Sequence, residues 1–297
     1  MPGDIPIALK EWRAKARTFA YHDHEVFYVD EGQGDPLVCI HGFPTASWDW
    51  AWIWGGLTAR YRVIAPDMMG FGFSAKPRDY DYSLRDQATL HEGLLKSLEI
   101  DRAYVLCHDY GDSVGQELLA RAAEMGLDFE IRAMCLLNGG IIPDVHRPRP
   151  MQRLLISPLG PLVGRLMSER SFNRSFSAVF GPDTQPSAEE LEAFWSLIHH
   201  NQGQRVVHKL IRYMTERVIC RDRWVGALQN TPFPLRFING TLDPVSGQHM
   251  VDTYRQLVPD PDVVCLAGIG HYPHVEGPER TLAKVLEFFG RVQVEGR

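Results

Sequence analysis

The sequence predicts an α/β fold in which a mostly parallel central sheet is flanked by helices on both faces. Three observations lead to this prediction. Short strands that are apolar throughout alternate with helical segments, as expected for strands buried on both faces. Polar residues follow several of these strands directly, where functional sites of such sheets lie. The alternation stops between Pro143 and Asn230, where helical patterns and many prolines indicate an inserted helical cap.

Composition narrows the function classes. A chain of 297 residues with 44% hydrophobic residues can form one large core plus a smaller inserted domain. The net charge of −6 and the lack of a basic run argue against a nucleic-acid partner. No apolar run approaches the ~18 residues of a membrane span, and the first residues lack a signal-peptide pattern. We therefore expect a cytoplasmic monomer or homodimer that does not interact with membranes.

The five cysteines show no Cys-x-x-Cys pair, and four of them lie in apolar, strand-like runs. This pattern is typical of small core residues in a reducing compartment. It does not predict a disulfide framework or a metal site. We expect neither a metal nor a cofactor in this protein.

The elements follow from the period of the apolar residues and from the turn residues between them. The predicted elements before the cap are a hairpin over 18–31, a strand over 37–40, a helix over 47–59, a strand over 62–65, a helix over 83–98, a strand over 103–107, a helix from 113 and a strand over 131–137. After the cap we predict strands over 235–239 and 263–266 and a helix over 278–291. The predicted core is thus 1–142 with 231–297, and the predicted cap is 143–230.

The stretch from Ala103 to Arg121 predicts where the chemistry lies. Strand, tight turn and helix follow one another, which is the geometry of a nucleophile elbow. Asp109 comes directly after the strand, whereas Ser113 lies inside a Gly-x-Ser-x-Gly motif. If Ser113 were the nucleophile, the strand would continue through Asp109 and bury an unpaired acid, which is costly. Asp109 is therefore favoured, and Ser113 is better placed to cap the helix.

An acid and a histidine follow the next two predicted strands. Asp243 lies after the strand over 235–239, and His271 lies after the strand over 263–266. Each residue alone could be structural. Together they give the chain order nucleophile, acid, histidine, on successive ends of one sheet.

In these residues and in further motifs, the chain resembles the epoxide hydrolase and haloalkane dehalogenase branch of the α/β-hydrolases. The resemblance rests on His41-Gly-Phe-Pro44, Asp67-x-x-Gly-x-Gly-x-Ser-x-x-Pro77, His108-Asp-Tyr-Gly111, Asp243 and Gly270-His271. Stretches 108–119, 137–140 and 223–228 are most similar to its mesoderm-specific-transcript-like members. In this branch the nucleophile is the Asp of His-Asp-x-Gly, which is Asp109 here. Cys107 and Asp112 stand where the branch usually has glycine.

An aspartate nucleophile implies alkyl transfer. The carboxylate of Asp109 attacks an sp³ carbon, and water activated by His271 then hydrolyses the ester, with Asp243 orienting the histidine. The backbone N–H groups of Phe43 and Tyr110 are placed to form an oxyanion hole. By resemblance, the bond between Phe43 and the following proline is expected to be cis.

The leaving group separates the two activities of the branch. Dehalogenases usually carry Trp after the nucleophile and often Asn after His-Gly, and these positions hold Tyr110 and Phe43 here. His-Gly-Phe-Pro matches the epoxide hydrolase form, which needs an acid from the cap. Tyr213 is near the position of the later cap tyrosine of the family. The earlier tyrosine is missing, and the candidate substitutes are His146, His199 and His200.

We therefore predict an epoxide hydrolase acting on a small apolar electrophile with water. Its catalytic residues would be Asp109, Asp243, His271 and Tyr213. The alternatives are a haloalkane dehalogenase with the same triad, a serine esterase or lactonase on Ser113, and a non-catalytic binding protein. Further residues predicted to line the pocket are His41, Pro44, Trp48, His108, Asn138 and Tyr272.

Overall fold

A computed structural model describes residues 5–124 and 126–295 and contains one eight-stranded sheet. The strand order is β1-β2-β4-β3-β5-β6-β7-β8. β1 pairs with β2 and β2 with β4 in antiparallel fashion, while every other neighbouring pair is parallel. The α/β fold is thereby confirmed. The strands are β1 Arg17–Tyr21, β2 His24–Glu31, β3 Pro36–Ile40, β4 Arg62–Pro66, β5 Arg102–His108, β6 Glu130–Leu137, β7 Leu235–Gly240 and β8 Asp262–Leu266.

Helices cover both faces of the sheet and also form the inserted segment. In the core they are α1 Leu9–Ala14, α2 Ala51–Thr58, α3 Leu84–Ser97, α4 Tyr110–Glu124, α12 Gln248–Leu257, α13 Pro273–Glu276 and α14 Pro278–Glu295. Between β6 and β7 lie α5 Pro150–Ile156, α6 Gly160–Leu166, α7 Glu169–Ser177, α8 Ala188–His199, α9 Val207–Leu210, α10 Tyr213–Ile219 and α11 Arg221–Asn230. Short 3₁₀ helices span Ser47–Trp50 and His200–Arg205. Among the helices described, none has the length and hydrophobicity needed to cross a bilayer.

The sheet is buried on both faces because its strands are apolar at successive positions. In β3, Val38 and Ile40 pack in one core cluster, while Leu37 and Cys39 pack in the other. Successive side chains of a strand point to opposite faces, so both faces of the strand need a helical cover. Four cysteines are buried, but Cys265 of β8 is exposed. β8 is the last strand of the sheet, so its pattern is less strictly apolar.

The inserted segment contains no strand between residues 143 and 230, and its helices contact the loops at the carboxyl ends of the core strands. Phe176 and Phe194 pack against Tyr272, for example, with ring centroids 5.1 and 6.4 Å away. The last helix of the segment, α11, packs instead along α4. There the indole nitrogen of Trp224 donates to Glu117 at 2.8 Å. The stretch 143–230 therefore includes one helix that packs with the core.

The structure differs from the sequence-based expectation in four helices, one of which is the unpredicted four-residue α13. The helix after β5 begins at Tyr110, not at Ser113, because Asp109 alone takes the left-handed conformation that the turn needs. Gly111 and Asp112 have turn-like composition, yet they form the first helical turn. The helices α1 and α12 were not predicted. α1 has only six residues, and α12 buries just one face, which includes Met250 and Tyr254.

Asp67 links three elements near the sheet edge and provides a test of the fold. Its fully buried carboxylate accepts hydrogen bonds from the backbone N–H of Ser47 at 2.8 Å and of Phe73 at 2.6 Å. Asp67→Ala should lower the free energy of unfolding by about 2–4 kcal/mol, because two buried donors lose their acceptor. Denaturant unfolding measures this loss. Asp128→Ala, which removes only an exposed partner of Lys96, should leave the midpoint unchanged.

Candidate active site

The elbow places Asp109 at the junction of β5 and α4. Asp109 has a φ of +46°, and the backbone N–H of Phe43 donates to its Oδ2 at 3.1 Å. The turn leaves no room for larger neighbours. A Cβ on Gly111 would lie 2.2 Å from the carbonyl oxygen of Ile40, so only glycine fits at this position, two residues after Asp109. Tyr110 provides the first N–H of α4, one of the helix amides without an intrahelical partner.

Three side chains from three different loops form a line. His271 Nδ1 lies 2.7 Å from Asp243 Oδ2, and His271 Nε2 lies 3.9 Å from Asp109 Oδ2. Asp243 is held in place by Ser246 Oγ at 2.7 Å and by Asn138 Nδ2 at 3.1 Å. The structure thus brings together the nucleophile, the acid and the histidine that the sequence pattern singled out.

The charges of this line are strongly coupled. Burial alone would lower the pKa of His271, but the carboxylates of Asp243 and Asp109 outweigh it and raise that pKa to about 10. Burial would likewise raise the pKa of Asp109, yet its contact with His271 and the nearby Arg217 hold it well below the ordinary value. The pKa of Asp243 is lowered in the same way, against burial, by His271. The resting site therefore holds an imidazolium between two carboxylates.

A second cation, Arg217 of α10, was missed in the sequence reasoning. Its side chain is 1% exposed, and its Nη2 donates to the carbonyl oxygen of Asp109 at 2.8 Å and lies 3.5 Å from Oδ1. Its guanidinium carbon lies 4.4 Å from the ring centroid of Tyr213. A weak signal existed, since Arg217 is four residues after Tyr213 on a helix and so lies on the same face.

The elbow contains a second acid, Asp112, and a hydroxyl group, that of Ser113. Both make contacts that serve the structure. Burial, followed by the charge of Asp109, raises the pKa of Asp112 well above its usual value, and its Oδ1 accepts from the N–H of Leu137 at 3.3 Å. Ser113 Oγ accepts a 2.6 Å hydrogen bond from Arg217 Nε. No histidine of the described chain hydrogen-bonds to this hydroxyl. These surroundings give no support to an esterase mechanism on Ser113.

A cavity of about 90 Å³ lies over the nucleophile. Asp109 and His271 form its reactive wall. Pro44 and Tyr272, two of the six residues predicted to line the pocket, lie in this wall, and so does Phe43, whose N–H was predicted to belong to the oxyanion hole. The rest of the wall comes mainly from the cap and is mostly apolar: Arg149, Met151, Gln152, Leu155, Met167, Phe172, Ser175, Phe176, Val179, Ile198, Val207 and Val245. The lining suits a substrate with a substantial apolar part.

Four residues predicted to line the pocket do not line this cavity, and the structure gives each a supporting role. Asn138 binds Asp243, as described above. His41 Nδ1 donates to the Gly42 carbonyl at 2.8 Å, and its Nε2 accepts from Met68 N–H at 3.0 Å. Trp48 donates to the carbonyl of Ile7 at 2.9 Å. His108 Nε2 donates to the carbonyl of His271 at 2.9 Å, which positions the histidine loop. The position of a residue at the end of a strand predicted correctly that it lies near the site. It did not predict whether the side chain lines the cavity.

Tyr213 lies beneath Arg217 and is not among the residues that line the cavity. Its ring packs against Phe43 and Tyr110, with centroids 5.6 and 5.1 Å away. The buried hydroxyl has no hydrogen-bond partner in the described chain, and burial raises the pKa of Tyr213 well above its usual value. Tyr213 is therefore a protonated donor without a protein acceptor. The Tyr110 hydroxyl, in contrast, is directed at the carbonyl of Tyr82, 3.5 Å away.

The three histidines considered as partners of Tyr213 lie in different surroundings. The Nε2 of His146 is buried without a partner in the described chain, and burial lowers the pKa of His146 to about 4, so this histidine is neutral at pH 7. His199 is exposed and packs on Trp195 at 5.5 Å. His200 packs on Phe73 at 5.2 Å. Only His146 lies close to the charged groups of the site.

One buried cluster contains groups that can bind metals. Ligand atoms of Asp49, His108 and His274 lie within 4.8 Å of one another. Asp49 makes no ion pair within 4.0 Å with either histidine, whereas ligand atoms around zinc lie roughly 3.5 Å apart. The spacing in this structure is wider than that of a zinc site, and we assign no metal to this cluster.

Comparison with known proteins shows the family to which the chain belongs. The family model described as "Alpha/beta hydrolase family" matches residues 37–284. The chain belongs to this family. The mesoderm-specific transcript protein of Mus musculus is 42% identical over 289 residues, covering 93% of this chain and 86% of that protein.

Two solved structures share the fold of this hydrolase. A haloalkane dehalogenase DbeA loop variant from Bradyrhizobium elkanii superposes with a TM-score of 0.81 at 20% identity, covering 95% of this chain and 98% of the other. The epoxide hydrolase CorEH gives a TM-score of 0.75 at 19% identity, covering 93% and 99%. At such identities the match concerns the fold alone.

The charge state of His271 can be measured directly. Because the pKa of His271 is about 10 when folded and 6.5 ordinarily, its ring should be an imidazolium at pH 8. The associated stabilisation is fully present below about pH 6.5 and is lost as the pH rises through about 10. Nitrogen NMR shifts of the ring, assigned with the His271→Gln variant, report the charge. Asp243→Asn should lower the pKa, and a neutral His271 at pH 8 in the unaltered protein would contradict the coupling.

Proposed function

We propose that this hydrolase opens epoxides to vicinal diols through a covalent ester on Asp109. The observation that carries the proposal is the buried Tyr213 hydroxyl, protonated and without a protein acceptor, under the Arg217 guanidinium that also contacts the Asp109 carboxylate. A buried donor of this kind costs free energy unless a ligand supplies the acceptor. An epoxide oxygen is such an acceptor, and it needs a proton as the ring opens.

Ring opening uses the ionised nucleophile. The Asp109 carboxylate attacks a ring carbon, the carbon–oxygen bond breaks, and the electron pair moves to the oxygen. The oxygen takes the proton of Tyr213, which becomes a phenolate. Arg217 lies against both the carboxylate and the tyrosine ring, so the negative charge stays next to a cation as it moves from one to the other.

Formation of the ester then allows His271 to act as a base. An esterified Asp109 is neutral, so one of the two carboxylates that raise the pKa of His271 is lost. His271 can then return a proton to the Tyr213 phenolate and become neutral. In the second half-reaction it takes a proton from water, which attacks the ester carbonyl. The oxyanion is stabilised by the N–H groups of Phe43 and Tyr110. The tetrahedral intermediate then collapses: the bond between the carbonyl carbon and the substrate oxygen breaks, and the diol leaves with the second proton of the attacking water. This restores the Asp109 carboxylate and leaves His271 as an imidazolium, so the proton balance closes.

A haloalkane dehalogenase would use the same triad but needs donors for the departing halide. The Phe43 side chain has no polar hydrogen, and the Tyr110 hydroxyl is directed at the carbonyl of Tyr82. Neither side chain supplies the indole and amide donors usual in that branch. No contact in the described chain favours halide over epoxide, so the epoxide mechanism is the one we propose.

The ester should accumulate when its hydrolysis is blocked. In the His271→Gln variant, incubation with styrene oxide should add the mass of one epoxide to the peptide containing Asp109. Adding Tyr213→Phe to this variant should slow ester formation by roughly 10²- to 10⁴-fold, because the opening oxygen loses its acid. Peptide mass spectrometry over time gives both results.

Tyr254→Phe in the same background is the matched control, since Tyr254 is equally buried but packs on Phe237 in the core. It should leave the rate of ester formation unchanged. The proposal fails if no panel of epoxides labels Asp109 in the His271→Gln variant. A rate that Tyr213→Phe does not change would remove Tyr213 from the mechanism.

A further inference from the structure

The cap exposes an unusually apolar surface outside the active site. Leu159, Leu162 and Leu166 are 59%, 55% and 71% exposed, and Leu154 of α5 is 41% exposed. The first three follow the spacing i, i+3 and i+7, so they share one face of α6 and the turn before it. Single exposed leucines are common, but a row of four along adjoining helices indicates a contact surface. We call this row the leucine face.

The stretch of the chain that carries the leucine face also carries six arginines, with almost no acid among them. Between residues 145 and 178 the chain has a single acidic residue, Glu169, although its overall charge is −6. None of the arginines in this stretch forms a salt bridge with a carboxylate of residues 5–124 or 126–295. They are Arg147, Arg149, Arg153, Arg165, Arg170 and Arg174, and all except the half-buried Arg149 are exposed. The positive charge of this surface is therefore uncompensated within the described chain.

Three of these arginines lie next to the catalytic cavity. Arg149, Arg170 and Arg174 line a surface depression between α5 and α7. Arg149, Met151 and Ser175 line both this depression and the cavity over Asp109. A molecule that reaches the nucleophile from this side passes the arginines first and then the apolar wall.

We propose that the leucine face and its arginines dock this hydrolase on an anionic lipid surface, from which an apolar substrate reaches the cavity. Exposed leucines beside arginines on short amphipathic helices are suited to the boundary between headgroups and acyl chains. Arginines at that boundary are attracted to anionic headgroups. Docking of this kind needs no membrane-spanning helix, but it departs from the sequence-based expectation of a protein without membrane contact. It also stands apart from the proposed function, because it involves no contact with Asp109.

Two other occupants fit the surface less well. A second copy of the chain, paired through this face by a twofold axis, would bring its arginines against the same arginines of its partner, with only Glu169 to offset them. A soluble anionic substrate could use the depression but would leave the leucines exposed. A lipid surface accounts for the leucines and the arginines together.

Vesicle binding tests the proposal without any turnover. The protein should co-sediment with vesicles of phosphatidylcholine and phosphatidylglycerol at low salt. It should bind pure phosphatidylcholine far more weakly and lose most of its binding in 0.5 M NaCl. The triple variant Arg165→Gln, Arg170→Gln, Arg174→Gln should bind the anionic vesicles about 100-fold more weakly, at about fivefold per charge. Leu162→Glu with Leu166→Glu should weaken binding at least as much.

A matched control is available on α10. Val218 and Ile219 are 64% and 76% exposed, but the arginines that follow them, Arg221 and Arg223, both form salt bridges with carboxylates. Replacing both with Glu should leave vesicle binding unchanged, and circular dichroism checks the folding of every variant. Equal loss in this control, or no binding by the unaltered protein, would overturn the proposal. A dimer in sedimentation velocity that the Leu162→Glu, Leu166→Glu variant dissociates, without vesicle binding, would assign the surface to a second copy instead.

Discussion

The architecture of the site depends on the ion pair between His271 and two buried carboxylates. Two negative and two positive groups, namely Asp109, Asp243, His271 and Arg217, lie close together in the described structure with little access to water. Burying any one of them alone would cost several kcal/mol. Their mutual compensation explains why the loops after β5, β7 and β8 must meet at one point. It also explains why the cap must deliver an arginine there.

The same balance links structure to reaction. Converting the Asp109 carboxylate to an ester removes one negative charge and leaves two cations facing Asp243 alone. The least costly response is loss of the His271 proton, which turns an ion-pair partner into a base. Arg217 cannot make this change, because a guanidinium stays charged. In the proposed mechanism, Arg217, which keeps its charge, and His271, which loses its proton, therefore have different roles although both lie next to the nucleophile.

The triad could be predicted from the sequence because each member follows an apolar strand, and parallel strands end at a common edge. The choice of Asp109 over Ser113 also followed from local geometry, and the structure places Ser113 against Arg217 rather than a histidine. The contacts that the cap makes with the site could not be predicted in this way. Arg217 reaches Asp109 only through the packing of α10 on the core, which no local pattern encodes. For the same reason, the sequence did not show that the side chains of His41 and Trp48 pack in the core and do not line the cavity.

The central claim is that the carboxylate of Asp109 itself forms the bond to substrate. Repeated turnover of styrene oxide in heavy-oxygen water tests it most directly. Because water attacks the ester carbonyl, our account predicts that the heavy oxygen appears in the Asp109 carboxylate, and that the first diol formed carries the original, light oxygen of Asp109. Diol that carries heavy oxygen from the first turnover, with Asp109 unlabelled, would contradict it.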